Sequence, residues 1–201
     1  ATSPETTRQM RTLWRTAPDD VVPYGVERSW LSPPSEVHTP PRVSLIGRLE
    51  PSKGQREFLR HLSPPGTDFD LKIIGGASDN EYAREVLPAW EAYYEGYQSD
   101  ASLRQSYRDS DIVVVPSWLE NFSMVGLEAI ATSNALVITA DCGMAQFDWA
   151  TADNGIFVAD GRRHAAALVS ELVANPDLER YQQAAYEFAC SLTWNIVAQE
   201  Y

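Results

Sequence analysis

Two basic residues near position 50 are of the types that bind anions in protein loops. Arg48 and Lys53 follow the apolar run 43–46, and Lys53 falls in the first turn of a segment with helical spacing. A helix N-terminus disfavours cations because its macrodipole is positive, so an anion within reach of both side chains would account for their placement. Arginine provides a bidentate fork and lysine a point charge, which suits a diphosphate. Gly47 lets the chain turn sharply beside such a ligand; two solvated surface charges are the alternative.

Two glutamates mark a second candidate segment. Glu120 lies in the loop after the apolar run 111–116, and Glu128 lies about one turn inside the helix predicted to follow that loop. Ser123 is a good N-cap for this helix, and the first amides of a helix bind anions. Two carboxylates eight residues apart across a loop-to-helix junction can bracket one ligand. An exposed glutamate and a helix salt bridge are the alternative.

The elements that must position these residues alternate along the chain. Compact apolar runs predict strands, and apolar residues every three or four positions predict helices. The predicted strands are 43–47, 71–76, 94–97, 111–116, 135–139 and 156–158. The predicted helices are 52–62, 80–94 with an interruption near Pro88, 101–108, 124–132, 162–174, 176–190 and 193–201. Strands interleaved with helices form βαβ units, and strands with little polar alternation are buried on both faces of a parallel sheet. The sequence therefore predicts an α/β fold with a Rossmann-like, doubly wound parallel sheet, whose ligands bind at the carboxyl ends of the strands.

Residues 1–40 are set apart by their composition. They open with polar residues and a predicted short helix over 6–16, and the apolar run 21–26, broken by proline and glycine, predicts a strand that ends in a turn. Four prolines between 32 and 41 predict a linker. The chain is therefore divided into a junction segment with linker, 1–40, and one domain over 41–201.

Charge and cysteine usage narrow the function classes. The 201 residues carry 16 Lys and Arg against 28 Asp and Glu, a net charge of −12. Such a surface repels phosphate backbones and anionic headgroups, so we expect neither nucleic acid nor a membrane as partner. Cys142 and Cys190 belong to no C-x-x-C motif, which predicts buried thiols in a cytoplasmic protein. No membrane-span run and no signal-peptide pattern is visible.

Five segments together resemble one family. Residues 47–54 resemble the G-R-…-K-G diphosphate motif of the retaining, GT-B-fold, family 4 (group 1) glycosyltransferases, and 120–128 resemble their E-x7-E signature. Segments 22–26, 154–158 and 193–198 resemble the family's I-P-N/Y-G-V, N-G-L-L-V and S-W-x-x-V/I-A segments. The five occur in the family's order along the whole chain. The sequence thus resembles the C-terminal, donor-binding domain of such an enzyme.

The sequence departs from the family pattern in two loops. Asn121 and Ser123 stand where the signature often reads E-G-F-G, and both residue types tolerate turn geometry. Gly143-Met144 replaces a frequent Gly-Gly pair in the loop that would face the sugar. We therefore expect the site to be kept and its donor choice to be reshaped.

The resemblance implies sugar transfer from a nucleotide-diphosphate sugar with retention at the anomeric carbon. Expulsion of the nucleoside diphosphate is the costly step, and preorganised positive charge stabilises it. Arg48, Lys53 and the helix amides from about Ser123 onward would supply that charge in place of a divalent metal, and no cofactor is implied. The implied substrate-binding residues are Gly47, Arg48, Lys53, Tyr97, Gln98, Phe122, Ser123, Met124, Val125 and Glu128, with Glu120 as the catalytic residue.

Within this set the resemblance assigns separate roles. Glu128 would hold the ribose hydroxyls, which suits a carboxylate acceptor. Glu120 would lie beside the donor sugar, fixing its hydroxyls or stabilising charge. The base would rest on the loop after Gly96, near Tyr97 and Gln98.

Other chemistries are disfavoured by position or by pattern. Asp109 and Asp111 form a D-x-D of the kind used by metal-dependent transferases, but they precede a predicted strand and so lie at the amino edge of the sheet. The three histidines lack ligand spacing, and neither a P-loop motif nor G-x-G-x-x-G occurs. We therefore expect no metal site.

A GT-B enzyme needs two such domains, with the acceptor bound between them. The resemblance therefore implies an N-terminal acceptor domain as a missing partner and predicts that this chain alone is inactive. The alternatives are a non-catalytic nucleotide-sugar binding module, a protein-interaction module, or half of a sugar-nucleotide epimerase. The presence of both basic residues together with both glutamates favours the transferase.

Overall fold

A computed structural model describes residues 1–14, 20–63 and 68–200 of the protein. Its strands are β1 (Arg42–Ile46), β2 (Asp70–Ile74), β3 (Tyr94–Gly96), β4 (Ile112–Val115), β5 (Ala135–Thr139) and β6 (Ile156–Ala159). Its α-helices are α1 (Pro4–Trp14), α2 (Gln55–Leu59), α3 (Asn80–Val86), α4 (Asp100–Arg108), α5 (Met124–Ala131), α6 (Arg162–Val173), α7 (Leu178–Ser191) and α8 (Trp194–Glu200). Strands and helices alternate from β1 to β5, as the sequence pattern predicts, and only two 3₁₀ turns, Gly143–Gln146 and Ala152–Asn154, separate β5 from β6.

The six strands form one parallel sheet in the order β3-β2-β1-β4-β5-β6. β1 lies at the centre, where Val43 is paired with Leu71 of β2 on one side and with Ile112 of β4 on the other. From β1 the chain continues to β2 and β3 on one side of β1, and then crosses to β4, β5 and β6 on the other side. This reversal opens a crevice at the carboxyl ends of β1 and β4. The predicted doubly wound, Rossmann-like fold is confirmed.

Helices cover both faces of the sheet and divide the core in two. One cluster joins the sheet to α2, α3 and α6, and the other joins it to α4, α5, α7 and α8. All side chains of β4 and β5 are buried, as expected of strands covered on both faces. Burial of these apolar runs, rather than local propensity, fixes where the strands lie.

The predicted helix over 52–62 is divided in two at Gly54. A short 3₁₀ turn covers Pro51–Lys53, and α2 begins only at Gln55. Gly54 has a φ of 67°, and a Cβ there would lie 2.2 Å from the carbonyl oxygen of Pro116. Tertiary contact between the loops after β1 and β4 thus requires glycine at this position and interrupts the helix.

Two other predicted boundaries shift. The interruption predicted near Pro88 is confirmed, because Pro88 lacks an N–H for the helical ladder, but α3 ends at Val86 and does not resume. Two 3₁₀ turns, Leu87–Ala89 and Glu91–Tyr93, follow it in place of the rest of the helix predicted over 80–94. The helix predicted over 6–16 is α1, and its last two predicted residues lie outside the described part of the chain.

The strand predicted over 21–26 is wrong. Only Val26 pairs, in a single bridge to Thr193. Pro23 has no N–H to donate, and Gly25 packs so closely that a Cβ would lie 2.7 Å from the backbone of Trp194. The segment is an extended connection held against the start of α8.

Two described parts of the N-terminal segment pack onto the rest of the chain near α5 and α8. α1 lies against the turn Gly143–Gln146, and the Tyr24 ring meets Phe122 and Trp194 edge-on, with centroids 5.4 and 6.0 Å apart. The division into a junction segment and a domain at residue 41 stays a prediction. Within the described residues, no helix has the length and apolarity needed to cross a membrane.

Candidate functional site

A cavity of about 260 Å³ opens at the carboxyl edge of the sheet, where β1 and β2 end, beside the loop after β3 and the start of α5. It lies at the crevice created by the reversal of strand order. The predicted site residues that line it are Gly47, Arg48, Lys53, Tyr97, Gln98, Val125 and Glu128. Folding therefore brings together residues that are up to 81 positions apart in the sequence.

Both basic residues of the cavity are paired with carboxylates. Lys53 Nζ lies 3.2 Å from Glu120 Oε1, and the Lys53 side chain is only 21% exposed. Arg48 Nη2 lies 3.3 Å from Glu50 Oε1, with the Arg48 side chain 66% exposed. An anion entering the cavity would thus compete with a carboxylate for each cation, and Lys53 is the more desolvated of the two.

Glu50 is held as a charged partner of this basic pair. The hydroxyls of Ser52 and Ser78 donate to its two carboxylate oxygens at 2.8 and 2.9 Å. Burial by itself would raise the pKa of Glu50. The two hydrogen bonds and the nearby charges of Arg48 and Lys53 outweigh burial, so the pKa is lowered. The loop after β1 therefore carries its own counter-charge.

Glu120 is fixed from both its side chain and its backbone. Ser117 Oγ donates to Glu120 Oε2 at 2.9 Å, and the Gly143 N–H donates to the Glu120 carbonyl at 2.8 Å. A Cβ on Gly143 would lie 1.9 Å from the Asn121 carbonyl oxygen, so only glycine allows the loop after β5 to approach this closely. The Glu120 carboxylate thus adjoins Lys53 with a set orientation.

Glu128 lies deeper, on the first turns of α5. The hydroxyl of Tyr107, whose side chain is fully buried, donates to Glu128 Oε2 at 2.9 Å. Burial raises the pKa of the Glu128 carboxyl, while the Tyr107 hydrogen bond and the charge of Arg104 oppose that shift. One carboxylate oxygen is therefore oriented by the protein, and the group as a whole lines the cavity.

The remaining predicted residues of the signature lie elsewhere. The Phe122 side chain is 2% exposed and packs in the core, edge-on to Tyr24 and Phe147, so it does not line the cavity. The Ser123 hydroxyl accepts the Gly126 N–H at 3.1 Å and caps α5. Met124 is 42% exposed. The side chain of Phe122 therefore supports the loop from the core.

Ser123 is the strained position of this loop. Its φ of 116° lies in the region that favours glycine, and glycine is frequent here in the family pattern. We expect Ser123→Gly to be more stable than Ser123→Ala by about 2 kcal/mol, because both lose the cap but only glycine removes strain worth about 1–3 kcal/mol. Thermal unfolding should then separate the two variants by about 4–8 °C. Equal melting temperatures would show that the backbone at this position is not strained.

Sequence reasoning missed several residues that support the site. Tyr107 and Ser117 orient the two glutamates, and Gln55 Nε2 donates to the Arg48 carbonyl at 2.7 Å. Arg162, at the start of α6, reaches the loop after β4. Only Arg162 had a sequence signal, because it is another cation in a first helical turn.

The D-x-D segment has a structural role at the opposite edge of the sheet. The Asp111 carboxylate is buried, accepts the Arg42 N–H at 2.7 Å and contacts His38 Nδ1 at 3.0 Å. Asp109 accepts a hydrogen bond from Gln105. Within the described part of the chain, no three acidic, histidine or cysteine side chains gather as a metal site would require.

A larger hollow of about 690 Å³ is distant from this chemistry. It lies at the amino edge of the sheet, near Arg42, Asp70 and the ion pair between Lys72 and Glu95. Ligands of doubly wound sheets bind at the other edge, and Lys72 and Glu95 of this hollow are paired with each other. We therefore place the functional site at the smaller cavity.

Comparison with known proteins identifies the family of the chain. The model of the family described as "Glycosyl transferases group 1" matches residues 40–175. The D-inositol 3-phosphate glycosyltransferase of Rhodococcus erythropolis is 28% identical over 172 residues, covering 78% of this chain and 39% of that protein. The enzyme of the same description from Nocardia farcinica is 29% identical over 168 residues, covering 71% of this chain and 37% of that protein. The chain thus spans about two fifths of the length of these relatives.

Solved structures share the fold at lower identity. Sucrose-phosphate synthase from Thermosynechococcus elongatus has a TM-score of 0.81 at 20% identity, over 100% of this chain and 55% of that one. Anabaena HepE, solved with UDP-glucose, has a TM-score of 0.77 at 16% identity, over 100% and 61%. The C-terminal domain of a group 1 glycosyltransferase from Francisella tularensis has a TM-score of 0.69 at 20% identity, over 83% and 97%. The architecture is one half of a GT-B fold, and the chain belongs to the group 1 glycosyltransferases.

Proposed function

We propose that the chain is the donor-binding domain of a retaining, metal-independent glycosyltransferase, which transfers a sugar from a nucleotide-diphosphate sugar to an acceptor. One observation carries the proposal: Arg48, Lys53 and Glu128 line a single cavity at the carboxyl edge of the sheet, and Glu120 is paired to Lys53 beside it. Relatives described as inositol phosphate glycosyltransferases and the complexes of HepE with UDP and UDP-glucose support it.

The first task of such a site is to stabilise the negative charge that develops on the leaving diphosphate. Lys53 and Arg48 supply two cations, and α5 begins beside them with its amides at Met124 and Val125. Hydrogen-bond donors that are fixed before the reaction stabilise developing charge without reorganisation. Because Glu50 and Glu120 hold both cations in place, the donor would meet a preformed anion site in which it displaces carboxylates.

The two glutamates would contact the uncharged parts of the donor, the ribose and the transferred sugar. Glu128, oriented by Tyr107, would accept hydrogen bonds from the ribose hydroxyls. Glu120, next to Lys53, would face the sugar where it joins the diphosphate. Tyr97 and Gln98, on the loop after β3, line the same cavity and would flank the base.

The acceptor would be held by a second domain, which we propose as the partner of this one. The curated relatives are more than twice as long as the stretch they share with this chain. We therefore expect this chain alone to bind donor without transferring sugar. The acidic balance of the sequence makes nucleic acid and anionic membranes poor partners of this domain, and its cysteine usage favours a cytoplasmic setting.

Metal independence is the direct test of the proposed anion site. UDP, used as the probe, should bind with the same affinity in calorimetry with EDTA as with added Mg²⁺, because side-chain cations already neutralise the diphosphate. Uridine is the matched control ligand and should bind far more weakly. Binding of UDP that requires Mg²⁺ or Mn²⁺ would contradict the proposal.

A further inference from the structure

Arg162 occupies a position that the local sequence does not favour. It is the first residue of α6, whose N-cap is Gly161 with no side-chain cap, and no acidic residue lies in the first turn. A cation there opposes the helix macrodipole. Arg162 is nevertheless only 6% exposed. Residues that break local rules and are still buried are commonly held by function, so the contacts of this side chain need a reason.

The guanidinium group makes three hydrogen bonds and one aromatic contact, and these partners all lie in loops at the carboxyl edge. Nε donates to the Pro116 carbonyl at 2.9 Å, and Nη2 donates to the Ser117 carbonyl. Nη1 donates to Asp141 Oδ2 at 2.8 Å. The Trp118 ring stacks on the same group, 3.4 Å from its central carbon to the ring centroid. One planar cation thus joins the loops after β4 and β5.

These contacts lead directly to Glu120. Ser117, whose carbonyl Arg162 holds, donates its hydroxyl to Glu120 Oε2 at 2.9 Å. Thr139 Oγ1 donates to the same carbonyl at 2.7 Å, so Arg162 and β5 fix it together. The orientation of the Glu120 carboxylate therefore depends on a backbone segment that Arg162 immobilises.

The loop that Arg162 holds also contacts the loop that carries Lys53. The Trp118 N–H donates to the Ser52 carbonyl at 2.8 Å, next to Lys53. A Cβ on Gly54 would lie 2.2 Å from the Pro116 carbonyl oxygen and 3.3 Å from Arg162 Nε. The loop held by Arg162 is thus packed against the loop that carries Lys53, and both partners of the Lys53–Glu120 ion pair rest on it.

We propose that Arg162 is a positioning residue for glycosyl transfer, which clamps the loop 116–118 and thereby sets the Lys53–Glu120 pair against the donor. The role in transfer rests on the proposed function, whereas the clamp itself does not. A lysine cannot replace it, because its single point charge cannot serve two carbonyls, a carboxylate and an aromatic face in one plane. Arg162 itself lies behind the loop and does not line the cavity.

Hydrogen exchange tests the clamp without any ligand. We expect Arg162→Lys and Arg162→Ala to speed amide exchange in the segment 117–123 by about tenfold, while β5 keeps its protection. The reason is that the substitution removes hydrogen bonds to this loop and leaves those of the sheet intact. Arg163→Ala is the matched control, an exposed neighbour on the same turn with the same loss of charge. Unchanged exchange in Arg162→Lys, or an equal rise in all strands, would overturn the proposal.

Nucleotide binding and chemical rescue test its consequence. UDP affinity should fall about tenfold in both Arg162 variants and not in Arg163→Ala. Millimolar ethylguanidinium, but not ethylammonium, should restore both the affinity and the exchange pattern of Arg162→Ala; failure of both reagents, or equal rescue by both, would contradict a planar clamp. If Arg162→Ala does not fold, Arg162→Lys decides the question. If the wild type binds no UDP, the proposed function fails while the exchange experiment still decides the clamp.

Discussion

Replacing Glu120 with glutamine is expected to lower sugar transfer by about 10²–10³ in an enzyme that carries this chain with its acceptor domain, because a charge fixed beside the reacting centre acts mainly in the transition state. The affinity for nucleoside diphosphate should not fall. Glu120 is an anion 3.2 Å from Lys53 Nζ, so its neutralisation leaves that lysine free for phosphate oxygens. The measurement is kcat for transfer beside the dissociation constant of UDP.

The control for this prediction is Glu128→Gln. Both substitutions keep shape and remove one negative charge, but Glu128 lines the cavity where the ribose would lie. Glu128→Gln should therefore weaken UDP binding, whereas Glu120→Gln should not. If Glu120→Gln lost affinity and kept kcat, the assignment of sugar and ribose roles would have to be exchanged.

Lys53→Ala is expected to weaken UDP binding by about 10- to 150-fold, the range of a charge-assisted hydrogen bond. The loss should exceed that of Arg48→Ala, because Lys53 is 21% exposed and Arg48 is 66% exposed and more screened by solvent. Removal of Lys53 also leaves the Glu120 carboxylate without its cation, beside the incoming diphosphate. Calorimetry of the two variants measures the difference.

Two further variants make this test sharper. Lys72→Ala is the matched control, since Lys72 is the only other lysine of the sequence and is also ion-paired, to Glu95 at 2.9 Å. The double variant Lys53→Ala, Glu120→Gln should bind UDP better than Lys53→Ala alone, because the uncompensated carboxylate is gone. A double variant that binds UDP no better than Lys53→Ala would show that the Glu120 carboxylate does not oppose binding once its cation is gone.

The positions of the strands could be predicted from the sequence because strands buried on both faces consist almost entirely of apolar residues. The runs around β4 and β5 are apolar without alternation, and the structure buries every residue of both. The topology followed from alternation with helices. The placement of Arg48, Lys53 and Glu120 at one edge needed only the rule that parallel strands end on the same side.

Local patterns failed where a tertiary contact outweighs propensity. Residues 21–26 have apolar strand composition, but no neighbouring strand edge receives them, and the segment packs against Trp194 instead. Gly54 interrupts a helical pattern because the Pro116 carbonyl occupies the space of its Cβ. Neither neighbour is close in the sequence, so no window of residues could reveal them.

The candidate site likewise has features that the sequence predicted and features that only the tertiary structure decided. The types and spacing of the basic residues and glutamates by themselves predicted an anion site at the carboxyl edge. Only the tertiary structure decided that Lys53 is paired with Glu120, that the Phe122 side chain turns into the core and that Arg162 supports the loop between them. Ion pairs and buried hydrogen bonds depend on distances of a few ångströms between segments far apart in the chain, and such distances exist only once the core has packed.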